Sequence, residues 1–230
     1  MPDNAPNAPL DLSTPTDRKR ARRDLVWGDH GFLRARYGNF HHIGAGMFRG
    51  NQPSPERLEW LAGLGIRTVI NLRGPSPKGF CLLEREACER LGLTLIDYRM
   101  YSRDTHTVER ILGAKRLFGE IAYPAFMHCK SGSDRTGVMG ALYAHFHLGQ
   151  PIARATDQLS LRFGHIKSGK TGMLDHFFAE YLEAQGRSGI GFEDWLQTEY
   201  DPAQTKARFM ETWKTTPLGR MATEKVLKRE

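Results

Sequence analysis

The chain has 230 residues, of which 40% are hydrophobic and 26% are charged, and its net charge is +7. This length accommodates one large domain, or one medium-sized domain with extensions. The composition is typical of a soluble globular protein, and we expect no membrane span because no run approaches the ~18 apolar residues that one requires.

The N-terminus is rich in Pro, Asn and Asp and lacks the basic start and apolar centre of a secretory signal. We therefore expect residues 1–24 to form a flexible basic arm, and the protein to be cytoplasmic. The basic run RKRARRD favours a solvated helix start, because it is short and has no interleaved aromatic residues. The alternative is a weak contact between Arg18–Arg23 and an acidic membrane surface. No nucleic-acid partner is expected.

Helices and strands alternate through the middle of the chain. The run SPERLEWLAGLG predicts a helix that is capped by Ser54, has Pro55 at its first position and ends before Gly65. The β-branched run Ile66–Arg73 predicts a buried strand, LLEREACERLG a helix, and Leu93–Met100 a second strand. A polar turn, YSRDTHT, separates that strand from the predicted helix VERILGAKRLFGEI.

A short predicted strand, PAFMHC, ends at Cys129 and is followed by a loop and the helical run TGVMGALYAHFHLG. This alternation predicts an α/β fold with a central, largely parallel sheet and helices on both faces. Everything downstream has helical spacing, including PIARATDQLSLRF and MLDHFFAEYLEAQ, and the latter places a stripe of apolar side chains on one face. We expect a domain over residues 25–186 and, because the tail is rich in aromatic residues, an extension over residues 187–230 that packs on it.

The three cysteines do not form a disulfide framework. Cys81 and Cys88 share one predicted helix about 10 Å apart, too far for a bridge, and are expected to be apolar packing residues. Cys129 is different because it ends a strand of a parallel sheet. Ligands of such sheets bind at the carboxyl ends of the strands, beside helix N-termini.

The stretch Gly164–Thr171, GHIKSGKT, fits the nucleotide-loop pattern G-x-x-x-x-G-K-[ST]. That loop needs a buried strand leading into it, whereas the preceding ATDQLSLRF has helical spacing. No later strand ends in an acidic residue that could hold magnesium. We therefore interpret the match as accidental and do not predict an NTPase.

The stretch His128–Gly137, HCKSGSDRTG, has the strand–loop–helix context that the other loop lacks, with five residues between Cys129 and Arg135. Successive backbone N–H groups of such a loop form a nest for an anion, and the following helix adds its positive dipole end. The planar fork of Arg135 can bind two phosphoryl oxygens. This environment is expected to lower the Cys129 pKa to the ~3.5–7.5 range of activated thiols, giving a nucleophile that attacks phosphorus.

With the flanking His128, the central Gly132 and the Thr136–Gly137 pair, this stretch resembles the signature of the cysteine-dependent protein tyrosine phosphatase superfamily. Its smaller, dual-specificity branch fits best, and FRGNQP, TVINLRG and YPAFMHC extend the resemblance to bacterial members over about residues 38–186. The resemblance implies a four- or five-stranded sheet, no metal or other cofactor, and a phosphorylated protein or small phosphomonoester as substrate. Hydrolysis would pass through a cysteinyl-phosphate.

The same resemblance implies roles for individual residues. Asp104, 25 residues before Cys129 in the polar turn, is favoured as the general acid. Its rival is Asp134, which lies inside the loop and could instead orient the loop amides or Arg135. His128 would support the loop, and the hydroxyl of Thr136 would help the sulfur to leave. The substrate phosphate would be bound by Lys130, Ser131, Gly132, Ser133 and Thr136.

Several alternatives remain open at this point. Asp134 stands where many relatives have a small or basic residue, and a similar Asp-Arg-Thr ending occurs in the myotubularin lipid phosphatases. Lys130 also resembles phosphoinositide phosphatases, although Ser133 stands where some of those have a second lysine. The alternatives are a phosphoinositide or other small-molecule phosphatase, a rhodanese-type sulfurtransferase, and an inactive phosphate-binding module. Zinc is disfavoured because Cys129 has no second cysteine nearby.

Overall fold

The computed structural model of this protein describes residues 10–34, 36–219 and 221. These residues belong to two compact units. The first takes its residues from Met1–Arg99 and Ala122–Gly132, and the second from Met100–Ile121 and Ser133–Glu230. In the described part of the chain, no helix combines the length and the apolar character that crossing a bilayer requires.

The first unit contains a five-stranded sheet. Its strands are β1 (His41–Gly44), β2 (Met47–Asn51), β3 (Thr68–Asn71), β4 (Thr94–Asp97) and β5 (Ala125–Cys129). Their order across the sheet is β1-β2-β5-β3-β4. Only β1 runs antiparallel to its neighbour, and the other pairs are parallel. The predicted α/β class with a largely parallel sheet is confirmed.

Three of these strands, β3, β4 and β5, follow the sequence prediction, whereas the β1–β2 hairpin was not predicted. The hairpin turns at Ala45 and Gly46, which both have positive φ angles, 42° and 78°. The glycines on either side of Ala45 were the local signal for this turn. The hairpin matters for the site because β2 pairs with β5 in a register that sets Asn51 opposite Cys129.

The described residues of the first unit contain four α-helices: α1 (Pro15–Arg23), α2 (Gly31–Arg34), α3 (Pro55–Gly63) and α4 (Gly79–Arg90). The predicted start of α3 is confirmed, because the Ser54 side chain accepts a hydrogen bond from the Arg57 amide. Apolar faces of α3 and α4 pack in one buried cluster with the sheet, which includes Leu58, Leu61, Val69, Ala87, Cys88 and Phe126.

Part of the segment expected to be a flexible arm is helical. Helix α1 is capped by the Thr14 side chain, has Pro15 at its start, and continues into a π-helical segment, Asp24–Gly28. Its residue Ala21 is fully buried, and a Cβ added to Gly79 of α4 would lie 2.5 Å from the Ala21 backbone. The close approach of the two helices therefore orders α1. Residues 1–9 of the expected arm lie outside the described residues.

The basic run of α1 forms ion pairs within the chain. Arg18 contacts Glu86 at 2.6 Å, Arg20 contacts Asp17 at 2.7 Å, and Arg22 lies 3.7 Å from Glu56. These ion pairs neutralise part of the positive charge through which α1 would bind an acidic membrane surface.

The described residues of the second unit contain six helices: α5 (Val108–Glu120), α6 (Asp134–Phe146), α7 (Ile152–Ala155), α8 (Met173–Ser188), α9 (Phe192–Thr198) and α10 (Pro202–Thr215). The helical C-terminal half is confirmed. The apolar stripe of α8 is buried at Leu174, Phe177, Phe178 and Tyr181, while Leu182 is partly buried. Both α9 and α10 pack against α8.

The helix predicted over PIARATDQLSLRF is interrupted. Helix α7 covers its first part, and two single 3-10 turns, Thr156–Gln158 and Leu161–Phe163, cover the rest. Ser160, between these turns, has extended backbone angles, so the helical spacing does not continue.

Candidate active site

Cys129 is the last residue of β5, the central strand of the sheet. Its side chain is buried, with a relative exposure of 1%. The backbone N–H of Gly132 donates a hydrogen bond to its sulfur at 3.3 Å. A hydrogen bond accepted by sulfur favours the charged thiolate, so the local geometry suits a nucleophile.

The other two cysteines differ in chemistry. None of the three cysteines forms a disulfide, and all three are buried. Burial, together with the charge of Glu84, raises the pKa of Cys88 to about 12. Burial also raises the pKa of Cys81. Both therefore remain thiols at neutral pH, as expected of packing residues.

The loop that follows Cys129 is held through its carbonyl oxygens. Three successive carbonyls of the loop accept hydrogen bonds from residues near β2. The Lys130 carbonyl accepts from the Gln52 amide at 3.3 Å, and the Ser131 carbonyl from Asn39 Nδ2 at 2.9 Å. The Gly132 carbonyl accepts from Arg49 Nη2 at 2.8 Å. These three bonds fix the conformation of the loop on its carbonyl side.

Glycine is required at position 132. Its φ angle is +77°, and an added Cβ would lie 2.7 Å from the backbone of Gly50 and 2.9 Å from Asn39 Nδ2. A side chain would thus combine an unfavourable backbone conformation with a clash. The geometry fits the backbone role expected for Gly132.

Arg49 was missed by the sequence analysis. It lies in β2 and is fully buried. Burial lowers its pKa to about 10, and the charge of Cys129 opposes this effect. Arg49 therefore stays cationic at neutral pH and is electrostatically coupled to Cys129. An arginine inside a short, otherwise uncharged strand was the available signal, because buried charges are costly unless they have a partner.

His128 is fully buried beside a carboxylate of α4. Its Nε2 lies 2.6 Å from Glu84 Oε1, and both side chains have zero exposure. Its carbonyl oxygen accepts a hydrogen bond from the Leu72 amide at 2.9 Å. These contacts fix the residue that precedes Cys129 and agree with a supporting role. The sequence analysis missed Glu84.

The Lys130 side chain lies close to the N-terminal part of the first unit. Its ammonium nitrogen lies 3.7 Å from Asp29 Oδ1 and 3.3 Å from His30 Nδ1. Neither partner was singled out from the sequence, since they lie 100 residues or more away along the chain.

In the second unit, Asp134 opens α6, with Ser133 at the N-cap position. Asp134 Oδ1 accepts a hydrogen bond from His165 Nδ1 at 2.8 Å, and the other ring nitrogen of His165 contacts Asp175 Oδ2 at 2.6 Å. Burial works to lower the pKa of His165, but its two carboxylate partners raise it to about 9. His165 is therefore an imidazolium at neutral pH, and it lies between the two carboxyl groups.

The next residues of α6 differ in burial. Arg135 is half-buried and, within its own unit, has no hydrogen bond or ion pair with another described residue. Thr136 is fully buried, and in the same unit its hydroxyl has no hydrogen-bond partner among the residues described. A Cβ on Gly137 would lie 2.6 Å from Leu159 Cδ2, so glycine permits a close helix contact. Both polar groups are thus free, within the described second unit, to bind a ligand.

Asp104 lies in the turn before α5, and its side chain is about half exposed. Lys206 of α10 contacts Asp104 Oδ1 at 2.8 Å, and the Thr105 amide donates to the same oxygen at 2.9 Å. Burial works to raise the pKa of Asp104, but these bonds and the nearby positive charge hold it below its usual value. The ion pair with Lys206 could not be predicted from the sequence pattern.

The stretch Gly164–Thr171 has no strand before it, since the 3-10 turn Leu161–Phe163 leads into it. The Thr171 hydroxyl donates to the Ile166 carbonyl at 2.8 Å, and the Lys170 ammonium lies 5.2 Å from the Trp213 ring centre. These contacts are not those of a nucleotide loop. No cluster of three or more His, Cys, Asp or Glu side chains suited to a metal ion occurs among the described residues.

The chain matches a protein family. A family described as a DSP-PTPase phosphatase fused to NAD+ kinase matches residues 41–173, which is more than half of the chain. A comparison with curated proteins gives no match.

Solved structures show a similar fold. TpbA of P. aeruginosa superimposes with a TM-score of 0.52 at 18% sequence identity, over 70% of this chain and 89% of that one. The core catalytic domain of the PP-IP phosphatase SIW14 from S. cerevisiae gives a TM-score of 0.49 at 16% identity, over 66% of this chain and 93% of that one. A putative phosphatase from Neisseria meningitidis gives 0.46 at 20% identity, over 60% and 96%.

Proposed function

Because this chain belongs to the DSP-PTPase family of cysteine-dependent phosphatases, we propose that it hydrolyses phosphomonoesters of the phosphotyrosine or dual-specificity type through a cysteinyl-phosphate. One observation carries this proposal: Cys129 ends the central strand, and its buried sulfur accepts the Gly132 N–H. A thiol that is held this way at a strand end, before a helix, is placed to act as a nucleophile.

In the first step, the Cys129 thiolate attacks phosphorus in line with the leaving oxygen. A sulfur–phosphorus bond forms as the bond from phosphorus to that oxygen breaks. Arg135 holds two phosphoryl oxygens with its planar fork, and the loop amides stabilise the charge that develops on them. Asp104 donates its proton to the leaving oxygen, which is worth roughly 10²–10⁴-fold in rate.

In the second step, a water molecule attacks phosphorus and the sulfur–phosphorus bond breaks. The Asp104 carboxylate accepts the proton of this water. The sulfur leaves as a thiolate, and the buried hydroxyl of Thr136 stabilises it by donating a hydrogen bond. Inorganic phosphate is released, and Asp104 regains the proton that the next cycle needs.

The contacts of Asp134 favour Asp104 as the general acid. Asp134 is bound to the fully buried ring of His165, whereas Lys206, the partner of Asp104, is about half exposed, so Asp104 can leave its partner more easily. Asp134 is therefore assigned to orienting the start of α6, the second of the two roles considered for it.

We infer the class of substrate from the charges in and beside the loop. Lys130 is its single lysine, and a carboxylate opposes its charge, which favours substrates with one phosphate group. The alternative of a phosphoinositide or other small-molecule phosphatase is distinguished by comparing phosphotyrosine and phosphoserine peptides, phosphoinositides and sugar phosphates. Turnover of thiosulfate would instead indicate a sulfurtransferase, which membership of a phosphatase family argues against.

The decisive experiment is hydrolysis of p-nitrophenyl phosphate with a chelator present. We expect turnover that vanadate inhibits, because a thiolate nucleophile needs no Lewis acid. Cys129→Ser should abolish turnover and still bind phosphate, since the loop amides and Arg135 remain.

The matched control is Cys88→Ala, which removes a buried thiol whose pKa of about 12 excludes it as a nucleophile. This variant should retain activity. Full activity in Cys129→Ser would end the proposal, as would a complete dependence of the wild-type enzyme on added metal.

A further inference from the structure

The segment before the matched family region brings a carboxylate to the catalytic loop. Asp29 follows the π-helical segment Asp24–Gly28 and is buried, with a relative exposure of 5%. It lies 3.7 Å from the ammonium of Lys130, the residue next to Cys129 in the chain. The match to the family begins only at residue 41, so Asp29 is a feature of this chain that the family match does not include.

Asp29 is shared among three cations. Arg73 binds both of its oxygens, at 2.7 and 2.8 Å, Arg34 contacts it at 2.8 Å, and Lys130 is the third. Burial works to raise the pKa of Asp29, but these cations hold it below its usual value. The carboxylate is therefore ionised at neutral pH and compensates part of their charge.

Arg73 and Lys130 occupy equivalent positions beyond the carboxyl ends of two neighbouring strands. Strands β3 and β5 are parallel neighbours, and Asn71 is paired with His128. Arg73 and Lys130 each lie two residues beyond that pair. Both therefore emerge from the carboxyl ends of adjacent strands, where ligands of parallel sheets bind.

We propose that Asp29 is a specificity-determining residue, which restricts the site to substrates with a single phosphate group by compensating the charges of Lys130 and Arg73. The inference rests on the proposed phosphatase function and names its substrate class.

In the proposed mechanism Arg135 and the loop amides, that of Lys130 included, bind the reacting phosphate, so the Lys130 ammonium and the Arg73 side chain are left for a further phosphate. Any further phosphate on the same substrate carries about two more negative charges, which need cations other than Arg135. Arg73 is engaged in a bidentate pair with Asp29, and Lys130 lies within ion-pair distance of the same carboxylate. A second phosphate would have to compete with that carboxylate for both cations.

The test compares kcat/KM for p-nitrophenyl phosphate with kcat/KM for two multiply phosphorylated substrates, inositol trisphosphate in solution and phosphatidylinositol bisphosphate in vesicles. In Asp29→Asn we expect the ratio of multiply to singly phosphorylated substrate to rise about fivefold. Adding Lys130→Ala should return the ratio toward the wild-type value. Asp17→Asn, which removes a carboxylate that pairs with Arg20 of α1, should leave the ratio unchanged.

An unchanged ratio in folded Asp29→Asn would overturn the inference while leaving the phosphatase function intact. Absence of turnover by the wild-type protein on every substrate would overturn both. If Asp29→Asn does not fold, Lys130→Ala alone decides, because the Lys130 side chain is about two-fifths exposed and tolerates truncation. If Asp29 compensates the charge of Lys130, Lys130→Ala should lower the ratio of kcat/KM values by less than about threefold. A larger fall in this ratio would contradict the inference.

Discussion

The carboxylate of Asp134 and the ring of His165 are joined by a hydrogen bond of 2.8 Å across 31 residues of sequence. Asp175 binds the opposite ring nitrogen at 2.6 Å, and Lys167 lies 3.5 Å from the other oxygen of Asp175. The imidazolium thus ties the first residue of α6 to α8 within the second unit. Arg135 is the next residue of α6, so this contact positions the start of the helix that carries the arginine proposed to bind phosphate.

The His165 contact predicts a stability that falls at alkaline pH. The pKa of His165 in the folded protein, about 9, lies above its ordinary value of 6.5. Its contribution is therefore complete below about pH 6.5 and is lost as the pH rises through about 9. Urea denaturation at about pH 6 and about pH 9.5 measures this loss.

Replacing the imidazolium tests the same contact at fixed pH. His165→Gln should lower the free energy of unfolding by about 1–3 kcal/mol at neutral pH, because two carboxylates lose their charged partner. It should also remove most of the alkaline decline. His147→Gln, at an exposed position that follows the last residue of α6, is the control. An equal alkaline decline in His165→Gln would show that another group titrates.

Asp104→Asn identifies the general acid. We expect phosphotyrosine hydrolysis to slow by roughly 10²–10⁴-fold. Hydrolysis of p-nitrophenyl phosphate should slow much less, because its leaving group barely needs a proton. The alkaline limb of the pH profile should flatten, since asparagine has no proton to lose. A selective loss in Asp134→Asn but not in Asp104→Asn would move the assignment to Asp134.

The ion pair with Lys206 gives a second test of Asp104. Lys206 holds the pKa of Asp104 down, so Lys206→Met should raise it. The alkaline limb of the pH profile should then move to higher pH, because the acid keeps its proton longer. Lys214→Met, an exposed change on the same helix α10, should leave the limb in place.

Arg135→Lys tests bidentate phosphate binding. Lysine keeps the positive charge but loses the planar fork, so kcat should fall by about 10²–10³-fold, as when one transition-state donor is removed. Steady-state kinetics with p-nitrophenyl phosphate measures the change. Arg154→Lys, at an exposed position of α7, is the control. A near-normal kcat in Arg135→Lys would place Arg135 outside the site.

Arg49→Met tests the buried cation of β2. The Gly132 carbonyl would lose its donor, and Cys129 would lose a nearby positive charge. We expect the rate of Cys129 alkylation by iodoacetamide to reach half its maximum at a higher pH, because an opposite charge favours the thiolate. Arg67→Met, at an exposed position just before β3, should not shift this profile. An unshifted profile in Arg49→Met would mean that other groups activate the thiol.

Local patterns in the sequence determined much of the fold. Strands β3, β4 and β5 and helices α3 to α6 and α8 follow from periodicity and end signals that lie within each segment, such as the Ser54 cap. The spacing from Cys129 to Arg135 likewise concerns one continuous loop, so it could be recognised without tertiary structure. The β1–β2 hairpin escaped prediction, and the helix start favoured at the basic run was confirmed as α1, although its burial against α4 was not predicted.

The environment of the loop was decided by tertiary structure alone. His165 reaches Asp134 over 31 residues, and Arg49 reaches Gly132 over 83. Asp29 lies beside Lys130 only because the N-terminal segment folds back to the end of β5. The charge state and orientation of a side chain depend on what burial places beside it. A sequence pattern records the side chain but not its distant partner, so the sequence predicted a nucleophile and its loop, whereas the fold determined which groups lie beside them.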